Sequence, residues 1–358
     1  MEFMKAAVLY SYTDIRIKEM PVPEIGPGEA LVKMRACGIC SGDVMPWYIE
    51  KKAPLVLGHE PAGEIVQVGA GVTAFKPGDR VFMHHHAPCM TCARCRKGDY
   101  VQCDTWRRTK IVPGGLAEYV RVPSENLMND TLKLPDSVSF EGGTLVEPLA
   151  CVVKGMRRMG TVEGETALVI GLGVMGMLFI SLLMHAGMRV IAADMVGYRL
   201  EKAREFGADE VIDVSPPHPA SPAGGEERLE KKVMELTRGE GAYRVVIGPS
   251  SIRAMEQGIA CAAPGGTVLF FTPAPPGELL TFDQNDIYFK DVNFVQSYSC
   301  GPDDTREALS LIERGIIPVD KIITHRFPLE QAGDAFRLTA KAGESLKAIV
   351  LLNTSFAA

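Results

Sequence analysis

The chain has 358 residues, 46% of them hydrophobic and 23% charged, and a formal net charge of −6. This is the balance of a globular protein long enough for two cores. That charge leaves no basic footprint for nucleic acid, because clusters such as Arg107-Arg108-Thr109-Lys110 are too short. No apolar run reaches membrane-spanning length; Leu178 to Met184 is broken by His185 and Gly187. The first residues lack a basic stretch followed by an apolar one, so the expected location is the cytoplasm, where the nine cysteines stay reduced.

In chain order, the first part predicts short strands at Lys5 to Tyr10, Ile15 to Lys18, Ala30 to Met34, Gly63 to Val68 and Arg80 to Met83. Pro/Gly turn chemistry separates them, which predicts an irregular β-barrel. Next come Cys89, Cys92, Cys95 and Cys103, four thiols in fifteen residues. Two residues separate each of the first three, so a short loop can wrap one Zn²⁺ tetrahedrally as a closed structural site. Such a site leaves no position for substrate, and chemistry must lie elsewhere.

From Thr166 the texture changes to alternating strands and helices, which predicts a parallel sheet covered by helices. Gly171-Leu172-Gly173-Val174-Met175-Gly176 follows the strand Ala167 to Ile170 and opens an apolar helix. The glycines allow a tight turn, close approach of a pyrophosphate and close helix–strand packing. Asp194 ends the next strand, eighteen residues after Gly176, placed to accept from an adenosine ribose. A carboxylate there favours NAD over NADP, although Arg199 lies near enough in sequence to reach the adenosine end. Ser215 to Gly225 is rich in Pro and Gly and reads as an exposed loop. A helix near Thr305 to Arg314 and a strand Ala348 to Leu352 close the chain, and no internal repeat is evident.

A second metal set is less conspicuous. Cys40 falls in Cys37-Gly-Ile-Cys40-Ser41-Gly42-Asp43, and Gly58-His59-Glu60 follows in the same part of the chain. Thiolate, imidazole and carboxylate suit a zinc with one exchangeable position. Cys37 reads instead as a packed small hydrophobe.

With Cys40, Asp43, Gly58-His59-Glu60 continuing through Gly63 to Gly69 and Val72, the four-cysteine lobe, Glu147-Pro148, and the glycine turn with Asp194, the chain resembles the zinc-dependent medium-chain dehydrogenase/reductase family, in particular its sorbitol- and threonine-dehydrogenase-like branch. The resemblance implies an α/β protein with a GroES-like β-barrel catalytic domain over residues 1–150, including a structural zinc lobe at about 85–110. It further implies a Rossmann NAD-binding domain over 151–296 and a segment 297–358 returning to the first domain. It implies two zinc ions per chain, one catalytic and one structural, and hydride transfer between NAD and a polar secondary alcohol, giving the ketone. Reduction of a carbonyl, or a catalytically silent nucleotide-binding homologue, are the rival readings. A homotetramer or homodimer is also implied.

By the same resemblance Cys40 and His59 are zinc ligands, Glu60 is a ligand or an adjacent carboxylate, and Glu147 or water completes the sphere. Asp43 orients the ligand histidine. Relatives place a relay hydroxyl two residues after the cysteine ligand, where this chain has Gly42, so Ser41 or another group must relay the proton. Of His84-His85-His86, His86 matches the position of a pocket histidine in threonine-dehydrogenase-like relatives. Trp47 and Tyr298 are the expected substrate contacts; Ser297 stands where polyol-binding members have an arginine.

Overall fold

The computed structural model describes residues 2–215 and 225–353, so the Pro/Gly-rich stretch lies outside the described residues except at its ends. Two compact units emerge: Met1–Ala150 with Ser299–Ala358, and Cys151–Tyr298. None of the described helices is long and apolar enough to cross a membrane.

The first unit is built on β1 (Phe3–Ser11), β2 (Asp14–Pro21), β3 (Ala30–Gly38), β4 (Leu55–Val56), β5 (Glu60–Val68), β6 (Arg80–Met83), β7 (Tyr119–Val122) and β8 (Thr131–Lys133). β2, β1 and β4 form a small sheet, while β3, β5, β6 and β8 belong to a larger one that β7 and two C-terminal strands complete. Alternation explains the layering: Ile15 and Ile17 of β2 pack on the core, and the charged Arg16 between them is exposed. Val32, Met34, Ile65, Val81, Val120 and Val350 fill the barrel interior.

The register of β3 decides where the site forms. Against β5, Gly38 pairs with Glu60 and Cys37 with Pro61. Across its other edge Gly38 pairs with Ile349 of the C-terminal strand Lys347–Leu351. Residues just past β3 and just before β5 therefore emerge at one end of the sheet, and Lys347 arrives there from the chain's far end. A side chain at position 38 would put its Cβ 1.9 Å from Glu60 Oε2 and 2.8 Å from Lys347 Cε, so only glycine fits.

The second unit holds β9 (Thr166–Ile170), β10 (Arg189–Asp194), β11 (Glu210–Asp213), β12 (Ala242–Ile247), β13 (Ala262–Phe270) and β14 (Asn293–Gln296). Every pairing is parallel, in the order β11-β10-β9-β12-β13-β14. The order reverses between β9 and β12, the switch point at which such sheets bind nucleotides. β13 starts at Ala262, and its pairing with β12 shifts register between Ala242 and Arg244. Helix Val174–His185, apolar on almost every face, is buried along most of its length.

Candidate active site and metal centres

Three side chains meet at the shared end of β3 and β5. The ligand atoms of Cys40, His59 and Glu60 lie within 4.8 Å of one another. Asp43 Oδ2 sits 3.1 Å from His59 Nδ1, which fixes the ring and leaves Nε2 for a metal. The Gly42 amide donates to Cys40 Sγ at 3.3 Å, supporting a thiolate. Burial works against a charged His59, yet Asp43 and Cys40 hold its pKa well above the histidine range. Burial raises the Cys40 thiol and, more than any other influence, the Glu60 carboxyl.

Glu60 and Lys347 form an ion pair with both side chains 1% exposed, and Lys347 Nζ also donates to Ile39 O at 3.0 Å. Glu60 Oε1 is buried with no hydrogen-bond partner among the described residues. An orphaned carboxylate oxygen beside a thiol and an oriented imidazole fits a zinc ion.

The four-cysteine lobe gives an independent test of metal fit. Cys92–Cys95, Cys103–Cys89 and Cys89–Cys95 sulfur separations are 3.5, 3.7 and 4.0 Å. A tetrahedral ion with Zn–S bonds of about 2.3 Å spaces its sulfurs about 3.8 Å apart. All nine cysteines are free thiols. The Thr91 hydroxyl and the Cys92 amide donate to Cys89 Sγ, and the thiol is pulled down to about 5. Cys95, Tyr100, Val101, Cys103 and Trp106 form the lobe's own small core, and Tyr100 Oη donates to Asp303 Oδ2 at 2.7 Å.

Other expected residues fall differently. Glu147, carried on the first turn of helix Val146–Met159, has its carboxylate gathered with His84 and Cys300, and its charge also acts on Glu60, Lys347 and Tyr48 beside the Cys40 group. His86 packs against the four-cysteine lobe. Its ring packs at a tilt on Trp106 with centroids 4.3 Å apart, and Nδ1 contacts Thr109 O at 2.5 Å, while burial pushes its pKa down to about 4. Its neighbour His85 is the ring beside His59, at 4.9 Å. Backbone alternation turns the adjacent ring inward, and sequence matching by one position missed it. Ser41 is exposed, Trp47 is half-buried on helix Pro46–Ile49, and the Tyr298 side chain is 58% exposed while its carbonyl accepts from Lys154 Nζ at 2.7 Å. Cys37 is fully buried in the core and its thiol is pushed up to about 12, as a packed residue should be.

Lys347, His85, Tyr48 and Lys52 were not singled out in the sequence. Lys52 Nζ sits 3.4 Å from the Tyr48 ring centroid, and the charges of Asp43 and Cys40 act on both residues. Tyr48 and Lys52 had a local signal in their nearness to Cys40; Lys347 had none.

In the second unit Asp194 Oδ2 accepts from the Leu172 amide at 2.6 Å and Oδ1 from the Val196 amide at 2.9 Å, which clamps the carboxylate at the glycine turn. Gly171 turns at φ +86°, and a Cβ on Gly176 would lie 2.2 Å from Gly171 O. A Cβ at Gly173 would meet only Arg199 Nη1, at 3.9 Å, so the turn is open where a pyrophosphate would lie. Arg199 Nη1 is 3.9 Å from Asp194 Oδ2.

A parallel sheet with this turn, in a chain that also carries a thiolate–imidazole–carboxylate cluster, defines a metal- and nucleotide-dependent oxidoreductase. Residues 26–136 match the model of the alcohol dehydrogenase GroES-like domain, and residues 174–314 that of the zinc-binding dehydrogenase. The chain is 32% identical to the sorbitol dehydrogenase of Gallus gallus, over 96% of this chain and 94% of that one. It is 33% identical to the L-threonine 3-dehydrogenase of Pyrococcus horikoshii, over 93% and 94%. A solved structure from Sinorhizobium meliloti 1021, described as a zinc-binding dehydrogenase bound to NADP, superposes with a TM-score of 0.82 at 28% identity, covering 98% of this chain and 100% of that one. The chain belongs to the zinc-dependent medium-chain alcohol dehydrogenase family, with a small-molecule substrate, zinc and a nicotinamide cofactor.

Proposed function

We propose that the chain interconverts a polar secondary alcohol, of the polyol or amino-alcohol kind, and its ketone with NAD as hydride carrier. The observation that carries this reading is the Cys40, His59 and Glu60 group with Asp43 on His59 Nδ1. The names of two relatives, a sorbitol and a threonine dehydrogenase, support a substrate with a hydroxyl flanked by polar groups.

Cys40, His59 and Glu60 would hold a catalytic zinc, and Cys89, Cys92, Cys95 and Cys103 a structural one, two ions in all. When bound, the catalytic ion supplies the Lewis acidity that makes a substrate hydroxyl easier to deprotonate. Asp43 holds the His59 tautomer, and the Gly42 amide supports the Cys40 thiolate. Residues Gly171, Leu172, Gly173, Val174, Met175 and Gly176 cradle the pyrophosphate at a helix start. Asp194, held by two amides, accepts from the ribose hydroxyls and repels a 2′-phosphate. Arg199 works in the opposite sense, which makes the measured NAD to NADP ratio a direct readout of the two.

The zinc-loaded protein should reduce NAD with at least one member of a panel of polyols, amino alcohols, β-hydroxy acids and simple secondary alcohols. No NADH from any of them, together with no NAD binding, defeats the proposal. Ser41→Ala separates the relay question: an unchanged hydride-transfer rate and pH profile would remove Ser41 from the proton path.

A further inference from the structure

The three histidines that follow β6 are held unequally. His84 Nδ1 lies 2.7 Å from Asp130 Oδ2 and His86 Nδ1 lies 2.5 Å from Thr109 O, so both outer rings are tied to their surroundings. His85 between them has no such tie. Its Nδ1 is buried without a hydrogen-bond partner among the described residues. We infer, resting on the alcohol–ketone chemistry proposed above, that His85 determines specificity: its Nε2–H donates to an oxygen on the carbon next to the reacting carbinol. The site thereby selects alcohols flanked by a hydroxyl or carboxylate over those flanked by an ammonium.

Position is the first support. The His85 ring centroid is 4.9 Å from that of His59, whose Nδ1 is taken by Asp43 at 3.1 Å. A substituent one carbon beyond a carbinol held at His59, bonded at about 2.9 Å, spans that gap. The residue as a whole is only half-buried while Nδ1 is sealed, so Nε2 is the nitrogen a ligand can meet. A sealed lone pair is tolerated more readily than a sealed N–H, which places the ring proton on Nε2. Burial, then His84, His59, His86 and the Lys52 charge, hold the His85 pKa well below the histidine range, and the ring is neutral. It therefore offers an outside group one donor and no acceptor, which suits an oxygen and not an ammonium.

Charge is the second support. Lys52, twelve residues after Cys40, has its Nζ 3.4 Å from the Tyr48 ring centroid, and its charge acts on both Asp43 and His85. An ammonium brought to this side of the site would meet like charge beside a donor, whereas a hydroxyl or carboxylate meets a donor and a cation.

The test compares three alcohols with the zinc-loaded protein and NAD: a vicinal diol of butane, sec-butanol, and the amino alcohol in which an ammonium replaces the neighbouring hydroxyl. The wild type should favour the diol over sec-butanol by about tenfold in kcat/KM, the factor one hydrogen bond supplies, with the amino alcohol last. His85→Phe should bring that ratio to within about twofold of unity, and His85→Asn, which keeps a side-chain N–H, should retain part of it. Lys52→Met should raise the amino alcohol relative to the diol by about threefold, an effect that shrinks as salt rises. A wild-type ratio near unity would overturn the proposal, and so would an equal loss on all three alcohols in His85→Phe, the result a merely structural ring would give. Histidine-ring nitrogen NMR of the wild type against His85→Phe gives a readout free of turnover. The signals that vanish should belong to a neutral ring protonated on Nε2, and a ring protonated on Nδ1 would overturn the proposal. If a variant fails to fold, the wild-type ratio still decides. No turnover of any alcohol would remove the alcohol–ketone reading and this proposal together, whereas turnover without discrimination would remove this proposal alone.

Discussion

Replacing Lys347 by methionine isolates the charge that the far end of the chain delivers to the site. Methionine keeps most of the aliphatic stem, so packing changes little, while the ammonium disappears. Glu60 is then left at 1% exposure without its cation, and Ile39 O loses its donor. Burial alone would lower the Lys347 pKa, but Glu60 and then Cys40 outweigh it and raise it, so Lys347 is an ammonium near neutrality. Removing one partner of a buried pair costs about 3–5 kcal/mol. For a urea m-value of about 2 kcal/mol/M, that lowers the unfolding midpoint by about 2 M. The assay is convenient because both tryptophans, Trp47 and Trp106, lie in the first unit, so their fluorescence follows that unit alone. The measurement belongs on metal-free protein, where no cation can substitute for the ammonium. Adding Glu60→Gln to Lys347→Met should recover at least half of the loss, since the buried charge is gone. A single variant within about 1 kcal/mol of wild type, or a double variant less stable than the single, would refute the reasoning.

Three further outcomes follow from other parts of the molecule. Cys95→Ser should cost one tight zinc equivalent and expose the segment between Cys89 and Arg108 to proteolysis, because the lobe's small core is built around its cysteines; unchanged zinc and protease resistance would contradict this. Gly176→Ala should destabilise the protein by about 1–3 kcal/mol and weaken NADH binding in a fluorescence titration, since its Cβ would sit 2.2 Å from Gly171 O. Asp79 gives a pH-dependent case. Burial would raise its carboxyl, but Lys133 at 2.9 Å and the Lys76 amide outweigh it and lower the pKa. A depressed folded value means stability present above the unfolded pKa of about 3.9 and lost as pH falls through the lower folded value. Asp79→Asn should therefore cost stability at pH 7 and progressively less in acid, and a cost that stays constant from pH 7 to pH 3 would be inconsistent with the pairing.

Much of the architecture was legible because its signals are local. The glycine turn needs only the strand before it, the helix after it and a carboxylate at the end of the next strand, all within a few dozen residues. Parallel strands betray themselves as short β-branched runs between helical stretches. His86 shows the limit of such reading. Matching the triplet by position chose His86, while the ring beside His59 is His85, because which of three consecutive histidines faces His59 depends on how the backbone leaves β6.

The four cysteines of the lobe and the nucleotide turn were determined by the sequence itself, since short spacing brings their atoms together with little help from the rest of the chain, whereas the Cys40 and His59-Glu60 segments were legible as motifs but are joined by the register of β3 with β5. Tertiary structure alone decided that Lys347 pairs with Glu60, and that Glu147 gathers with His84 and Cys300. Lys347 donates to Ile39 across 308 residues, and His84 meets Cys300 across 216. Only the register of β3 with its two neighbours, and the return of the C-terminal segment to the barrel, bring such distant residues to one place.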